Sequence, residues 1–254
     1  MKAMIFAAGL GTRLGDITSR KPKALVEVGG EPMLKRVILK LKSAGIRDMV
    51  VNIHHHADAI RNYLAENSNF GVNISISDES DCLLDTGGGL LKAREFLQGD
   101  EPILVHNADI LTDFDISEML RSHIESDAQI TLLVSERPTS RYLLFDPDMR
   151  MVGWENIRTN EIRSPFTDIN SMPVRRLAFG GVHIVNPEIF TVLAEYTDEA
   201  KFSITPFYTD SCSTLYIKGF IPHTSYNWID IGKPDSLIAA ESIASKLQPI
   251  PLQE

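Results

Sequence analysis

Small residues and two cations near the amino terminus have the composition of a phosphate-binding loop. Residues 7–14 read Ala-Ala-Gly-Leu-Gly-Thr-Arg-Leu, and Pro22 and Lys23 follow. Small side chains let a backbone approach a phosphate closely, so that its amide groups can donate hydrogen bonds to it. Arg13 and Lys23 would add positive charge. An ordinary turn between a strand and a helix is the alternative interpretation of this segment.

Two common glycine-rich phosphate loops do not fit these residues. A dinucleotide-binding fingerprint that begins at Gly9 needs glycine at position 14, where the chain has Leu14. A Walker A loop that begins at the same place also needs glycine there, and it needs lysine at position 15. Position 15 is Gly15. A phosphate loop at this place is therefore of a different kind.

Neither the cysteines nor the histidines indicate a metal centre. Cys82 and Cys212 are far apart and lack metal-ligand spacing, which excludes a disulfide framework and favours a reducing compartment. Residues 54–56 are three consecutive histidines. Adjacent residues on a strand point to opposite faces, so the three side chains cannot easily converge on one ion. We expect them to form the turn at the end of a strand.

The elements that must position the loop can be predicted from the apolar pattern. The predicted strands are residues 4–8, 49–53, 72–77, 103–106 and 130–135, and the predicted helices are residues 32–44, 57–64, 89–96 and 117–126. Strands that alternate with helices are typical of a mostly parallel sheet covered on both faces. We therefore expect an α/β fold.

The second half of the chain has a different pattern. Short strand-like runs at residues 143–145, 151–154 and 179–185 are separated by polar and proline-containing stretches, and residues 238–246 predict a closing helix before a loose tail at 249–254. We expect one domain over residues 1–254, in which an α/β core covers about residues 1–135, a β-rich portion covers 136–232, and the helix and tail cover 233–254.

The composition excludes several classes of partner. Hydrophobic residues make up 43% of the chain and charged residues 23%, a mixture typical of folded globular proteins. The formal net charge is −9, so a nucleic acid would meet an unfavourable field. No stretch is long and apolar enough to span a membrane, and the apolar start is interrupted too early for a signal peptide. We expect a cytoplasmic protein whose oligomeric state the sequence does not indicate.

Four separated motifs together resemble the sugar-1-phosphate nucleotidyltransferase family. In chain order they are residues 7–14 with Pro22 and Lys23, the turn Asp-Thr-Gly-Gly-Gly at 85–89, His-Asn-Ala-Asp at 106–109, and Trp-Ile-Asp-Ile-Gly at 228–232. Each motif alone is weak, but the ordered set is specific and runs through nearly the whole chain. The resemblance implies a Rossmann-like α/β/α nucleotide-binding core, a β-rich sugar-binding portion, and a reaction of a nucleoside triphosphate with a sugar 1-phosphate that releases pyrophosphate.

The resemblance also assigns roles to single residues. It implies that the nucleotide is bound by Ala7, Ala8, Gly9, Gly11, Thr12, Arg13, Lys23, Thr86, Gly87 and Gly88. Arg13, Lys23 and Asp109 would be catalytic, and Asp109 and Asp230 would hold Mg²⁺, which takes the rest of its ligands from water and substrate phosphates. Asn107, Glu155 and Gly181 would face the sugar. For a lone aspartate, the alternative is a helix cap or a solvated loop acid.

The chain departs from the family pattern in the sugar-binding portion. The family's Glu-Lys-Pro motif, whose lysine meets the sugar phosphate, has Glu-Asn-Ile at residues 155–157 as its nearest counterpart. The replacements available nearby are Arg158, Arg163, Arg175 and Lys201, although arginines in such a stretch are often solvated. Gly180 and Gly181 match the pair against which the sugar packs, and a tight β-bulge is an equal alternative.

Residues 84–89 and 201–203 most resemble the uridylyltransferases of this family that act on N-acetylmuramate 1-phosphate. This resemblance favours UTP as the nucleotide and N-acetylmuramate 1-phosphate, or a related hexosamine phosphate, as the sugar phosphate. It also favours a role in cell-wall sugar recycling. The alternatives are a mannose- or heptose-1-phosphate guanylyltransferase, a phosphocholine cytidylyltransferase, and a nucleotide-binding module without turnover.

Overall fold

The computed structural model describes residues 1–247, so the predicted tail at 249–254 lies outside the described residues. The strands are β1 (Lys2–Phe6), β2 (Glu27–Val28), β3 (Glu31–Pro32), β4 (Asp48–Ile53), β5 (Asn73–Asp78), β6 (Ile103–Asn107), β7 (Ile110–Thr112), β8 (Ile130–Ser135), β9 (Arg141–Phe145), β10 (Met151–Asn156), β11 (Glu161–Arg163), β12 (Arg175–Val185), β13 (Ile217–Phe220) and β14 (Trp228–Asp230). The helices are α1 (Asp16–Arg20), α2 (Met33–Ser43), α3 (Ala57–Glu66), α4 (Asp85–Ala93), α5 (Ile116–Glu125), α6 (Ile189–Glu195), α7 (Ile204–Ser211) and α8 (Pro234–Ala244). None of the helices between residues 1 and 247 has the length and hydropathy needed to cross a bilayer.

One ten-stranded sheet organises the chain. The strand order along its path is β11-β10-β9-β12-β6-β1-β4-β5, and β8 and β13 join it beside β12. Strands β6, β1, β4 and β5 are parallel to one another, whereas β12 runs antiparallel to β6, β8 and β9. The predicted α/β fold with a mostly parallel central sheet is therefore confirmed, and one long antiparallel strand lies in its middle.

Each central strand is buried on both faces. On β1, Ala3 and Ile5 pack in one hydrophobic cluster with residues of α2, α3 and α5, and Met4 packs in a second cluster with residues of α4, α6 and α7. All three side chains are fully buried. Successive side chains of a strand point to opposite faces, so the uninterrupted apolar run reflects a strand that is covered by helices on both sides.

The prediction of a turn at residues 85–89 is wrong, because helix α4 begins at Asp85 instead of Gly89. Three successive glycines disfavour a helix by intrinsic propensity. The amides of Gly87 and Gly88 donate hydrogen bonds to the carbonyl oxygen of Phe202, at 2.9 and 3.2 Å. A distant segment thus accepts the hydrogen bonds of the first amide groups of this helix. The local sequence cannot indicate such a contact. Helices α6 and α7 were not predicted either.

Two buried histidines lie on the neighbouring strands β6 and β12. His106 and His183 are 0% and 1% exposed. Among the described residues, Nε2 of His106 and both ring nitrogens of His183 have no hydrogen-bond partner. Burial is the main cause that lowers the pKa of His106 to about 4 and that of His183 to about 3. Both rings are therefore neutral in the folded protein at neutral pH.

These histidines should make the protein less stable in mild acid. The pKa of histidine in an unfolded chain is about 6.5. From that pH down to about 4 the unfolded chain binds protons that the folded protein does not, so the free energy of unfolding decreases as the pH falls. We expect His183→Leu to make this decrease shallower, as measured by urea unfolding at several pH values. An unchanged slope would contradict a neutral, buried ring at position 183.

Candidate functional site

A cavity of about 630 Å³ opens at the carboxyl ends of the parallel strands. Its walls come from the loop after β1, the ends of β4 and β6, the start of α4 and the segment before α7. The lining residues are 6–13, 23, 24, 52, 79, 83, 85, 86, 107–109, 201 and 232. Ligands of open α/β sheets bind in the crevice outside the carboxyl ends of the strands. This cavity is therefore the candidate site.

The loop after β1 is held by a buried amide. Oδ1 of Asn52 accepts hydrogen bonds from the backbone amides of Ala7 at 2.7 Å and Ala8 at 3.3 Å. Nδ2 of Asn52 donates to Oε1 of Glu79 at 2.7 Å, and Oε2 of Glu79 accepts from the amide of Leu84 at 3.0 Å. Burial raises the pKa of Glu79 above its usual range. Asn52 and Glu79 thus join the loop to the start of α4, and neither residue was predicted from the sequence.

The rest of the loop leaves its backbone open to the cavity. A Cβ atom added at Gly9 would meet nothing within 4 Å. The backbone at Gly11 has φ +68°, in the left-handed region that favours glycine, and a Cβ atom there would lie 2.7 Å from the Thr18 side chain. The amides of Gly9, Leu10 and Gly11 donate no hydrogen bond to any described residue. Free amides beside open space can hold the oxygens of a phosphate.

The two aspartates of the separated motifs are brought together by the pairing of β14 with β7. Asp230 is the register partner of Ile110, and the amide of Ile231 donates to the carbonyl oxygen of Asp109 at 3.0 Å. Neither aspartate is the N-cap of a described helix, which removes the helix-cap interpretation. Two acids that are 121 positions apart in the sequence therefore come together, with Asp109 in the cavity wall and Asp230 beside it.

Lys23 lies between these aspartates. Its Nζ donates a hydrogen bond to Oδ2 of Asp109 and lies 3.9 Å from Oδ1 of Asp230. The Lys23 side chain is only 9% exposed, against 25% for Asp109 and 39% for Asp230. The lysine therefore places its charge where the two carboxylates converge.

Arg13 reaches the same place because residue 232 has no side chain. A Cβ atom at Gly232 would lie 2.7 Å from Nη2 of Arg13, 2.8 Å from Oδ1 of Asp230 and 3.1 Å from Nζ of Lys23. Gly232 thus leaves room for two cations and a carboxylate to come together. Within residues 1–247, no group of three or more His, Cys, Asp or Glu side chains could hold a metal ion. A pair of carboxylates suits a hard cation such as Mg²⁺, whose remaining ligands come from phosphates and water.

The resemblance assigned three residues at the start of α4 to the nucleotide, namely Thr86, Gly87 and Gly88. Of these three, only Thr86 lines the cavity. Gly87 and Gly88 pack against the segment before α7, because Cβ atoms there would overlap the Phe202 ring and the carbonyl oxygen of Ala200. Oγ1 of Thr86 accepts a hydrogen bond from the amide of Ile204 at 3.0 Å. The glycines therefore let a distant segment approach, and that approach brings Lys201 to the cavity wall.

The residues assigned to the sugar lie in two different places. Asn107 ends β6 and lines the cavity, and Gly181 packs beside it, since a Cβ atom there would lie 3.0 Å from Nδ2 of Asn107. Gly181 has φ +72° at a break in the register of β12 against β8, which is the β-bulge that the sequence allowed. Glu155 does not line the cavity, and its carboxylate accepts a hydrogen bond from Nε of Arg176 at 2.5 Å.

Of the four candidates for the missing lysine, Lys201 alone lines the cavity. Arg175 pairs with Glu136, with 2.9 Å between Nη2 and Oε1, and Arg158 is exposed in the turn between β10 and β11. Arg163 pairs with Glu161 at 2.6 Å and points towards a second cavity. Lys201 is thus the cation available to a phosphate in the main cavity besides Arg13 and Lys23.

Sequence comparison relates nearly the whole chain to one family. The family model described as nucleotidyl transferase matches residues 2–246. The chain is 31% identical over 246 residues to an N-acetylmuramate alpha-1-phosphate uridylyltransferase of Neisseria meningitidis, covering 96% of this chain and 98% of that protein. It is 29% identical over 249 residues to the mannose-1-phosphate guanylyltransferase catalytic subunit beta of Danio rerio, covering 94% of this chain and 63% of that protein.

Solved structures share the fold at lower identity. One is a putative glucose-1-phosphate thymidylyltransferase from Bacillus anthracis, with a TM-score of 0.82 at 21% identity, covering 99% of this chain and 98% of that one. Another is HddC from Yersinia pseudotuberculosis complexed with GMP-PN, with a TM-score of 0.73 at 21% identity, covering 96% of this chain and 99% of that one. The cavity thus lies in a fold that is found in nucleotidyltransferase structures.

Proposed function

Because the chain belongs to the nucleotidyl transferase family, we propose that it joins a nucleoside triphosphate to a sugar 1-phosphate and releases pyrophosphate. The observation that supports this most strongly is the convergence of Arg13, Lys23, Asp109 and Asp230 around Gly232. Binding alone does not require two carboxylates beside two cations. The convergence therefore favours an enzyme over a nucleotide-binding module without turnover.

In this proposal the loop after β1 holds the triphosphate. The amides of Gly9 and Gly11 donate to phosphate oxygens, Arg13 contacts the triphosphate, and Lys23 leaves its contact with Asp109 to meet the reacting phosphate. Asp109 and Asp230 are the residues that would hold Mg²⁺. When bound, Mg²⁺ would neutralise charge on the phosphates.

The reaction needs no general base. A sugar phosphate is already ionised near neutral pH, so its oxygen can attack the α-phosphorus while the bond to the pyrophosphate oxygen breaks. Catalysis then consists mainly of positioning the two substrates in line and stabilising negative charge. The hydrogen bonds of Asn52 to the amides of Ala7 and Ala8 fix the loop that does the positioning.

The sugar would lie towards Asn107 and Gly181. Thr86 would face the base or the ribose. Gly87 and Gly88 do not line the cavity, and their lack of side chains lets the segment before α7 pack against this wall. Glu155 could accept a sugar hydroxyl only if its carboxylate shared or left its contact with Arg176. Lys201 takes the place of the missing family lysine in this proposal.

We favour UTP and N-acetylmuramate 1-phosphate, or a related N-acetylated hexosamine 1-phosphate, as the substrates. The likeness of residues 84–89 to uridylyltransferases supports this choice, as does the relative from Neisseria meningitidis. Such a substrate implies a role in cell-wall sugar recycling in the cytoplasm. Guanylyl transfer to mannose 1-phosphate is the second candidate, because the relative from Danio rerio is similar to almost the same degree.

We expect UTP with an N-acetylated hexosamine 1-phosphate to give the fastest pyrophosphate release. The measurement is a screen that crosses the nucleoside triphosphates with sugar 1-phosphates and includes CTP with phosphocholine. Equal or faster turnover of GTP with mannose 1-phosphate would overturn the substrate assignment and leave the reaction class intact. Absence of pyrophosphate release from every pair would overturn the reaction class as well.

A further inference from the structure

A second cavity, of about 340 Å³, lies in the second half of the chain. Its polar wall contains the side chains of Arg137, Arg141 and Arg163, and its apolar wall includes the rings of Trp154 and Phe179. Among residues 1–247, no aspartate or glutamate lines it. In a chain whose net charge is −9, Arg137 and Arg141 supply positive charge that no lining acid neutralises, and such a site attracts anions.

The three guanidinium groups are held in different ways. Nη2 of Arg137 donates to the carbonyl oxygen of Phe179 at 2.7 Å, its Cζ lies 4.0 Å from the centroid of the Trp228 ring, and its buried Nε has no partner among the described residues. Arg141 forms no ion pair within residues 1–247. Arg163 pairs with Glu161 outside the cavity. Two of the three cations therefore lack a carboxylate partner.

Three segments of the chain connect the walls of the two cavities. Ser203 lines the second cavity, and Lys201, two residues earlier, lines the first. Phe179 lines the second cavity and lies two residues before Gly181, which packs against Asn107 of the first cavity. The guanidinium of Arg137 lies over the ring of Trp228, and Trp228 is on the same short strand as Asp230. A sugar whose phosphate lies beside Asp230 and Lys201 can therefore extend towards the arginines.

We propose that the second cavity binds an anionic substituent, a carboxylate, on the sugar of the sugar 1-phosphate. Arg137, Arg141 and Arg163 would contact that carboxylate, because a guanidinium group can donate two parallel hydrogen bonds to one carboxylate. The aromatic wall would pack against the apolar part of the substituent. The inference rests on the proposed function and narrows it, since it selects acidic sugar 1-phosphates over neutral ones that have the same ring.

The test compares matched pairs of sugar 1-phosphates. N-acetylmuramate 1-phosphate and N-acetylglucosamine 1-phosphate differ by a carboxylate-bearing ether, and glucuronate 1-phosphate and glucose 1-phosphate form a second pair. In the wild-type protein we expect kcat/KM to be higher for the acidic member of at least one pair by about tenfold or more. In the double variant Arg141→Gln/Arg163→Gln this ratio should fall about tenfold, mainly through a higher KM for the acidic sugar.

The matched control is Arg121→Gln, which removes an exposed arginine of α5 that lines neither cavity and should leave the ratio unchanged. Arg141 and Arg163 are themselves exposed, and thermal unfolding checks that their variants fold. A wild-type ratio near one in both pairs, or a ratio that the double variant leaves unchanged, would overturn this inference while pyrophosphate release continued. Absence of pyrophosphate release from every pair would instead be the failure of the proposed function.

Discussion

Asp109→Asn and Asp230→Asn should each lower the rate of pyrophosphate release by about a thousandfold while the fold survives. An amide nearly preserves the volume of the side chain but removes the negative charge that a Mg²⁺ ligand needs. The lost electrostatic stabilisation amounts to several kcal/mol, on the order of a thousandfold in rate. The measurement is turnover across a magnesium titration, beside thermal unfolding of each variant.

The control for these variants is Asp113→Asn. Asp113 follows β7, and its carboxylate accepts hydrogen bonds from the amide and the side chain of Asn227, at 2.6 and 2.7 Å, without lining the cavity. Its variant should change stability modestly and turnover little. Near-wild-type turnover of Asp109→Asn or Asp230→Asn, with the same magnesium dependence, would show that the aspartate concerned is not a metal ligand.

Lys23→Met should change turnover and metal affinity in opposite directions. The Nζ of Lys23 lies between the carboxylates of Asp109 and Asp230, in the region that a metal ion would share. Two unit charges about 4 Å apart repel by about 1 kcal/mol even in water, and a divalent ion doubles this repulsion. Without nucleotide, the affinity for Mn²⁺ as a Mg²⁺ substitute should therefore rise, on the order of thirtyfold. Turnover should fall by about a hundredfold or more, because a cation at the reacting phosphate is lost.

Metal binding can be followed by paramagnetic resonance of Mn²⁺, and turnover by pyrophosphate release. Lys21→Met is the matched control, because Lys21 lies two residues earlier and, within residues 1–247, its Nζ reaches only Glu27, at 3.4 Å. It should leave both quantities near their wild-type values. Unchanged metal affinity in Lys23→Met would contradict a metal site between the two aspartates, and unchanged turnover would contradict a contact of Lys23 with the reacting phosphate.

The central strands could be predicted well because both of their faces are buried, whereas the short strands β2, β3, β7, β11, β13 and β14 were not predicted. Residues 130–135 were predicted as a strand from a continuous apolar run, and β8 has the same bounds. The start of α4 could not be predicted, because the carbonyl oxygen of Phe202, more than a hundred residues away, satisfies the amides of its glycines. The local apolar pattern therefore identifies elements whose stability comes from apolar burial. It fails where a backbone group from a distant segment supplies the hydrogen bonds that an element needs.

The candidate site was predicted from residue types in the first loop and from the family resemblance elsewhere. Arg13 and Lys23 belong to one motif and Asp109 to another, and the three residues line one cavity with Asp230 beside it. Asn52 was missed, although a single amide inside the apolar strand at 49–53 is a signal that could have revealed it. The ion pair of Glu155 with Arg176 and the packing of Gly87 against Phe202 had no such signal, because both depend on how distant segments meet.

Strand β12 limits how enzymes with this architecture can acquire new substrates. Its residues 182–185 pair with β6 beside the first cavity, and its residues 175–177 pair with β9 beside the arginine-lined cavity. A single strand thus lies beside both cavities. Exchanging the second half of the chain for that of a relative would replace a central strand of the sheet, and the new strand would have to pair in register with β6. We therefore expect specificity in this architecture to diverge more readily by individual substitutions in the cavity walls than by exchange of whole modules.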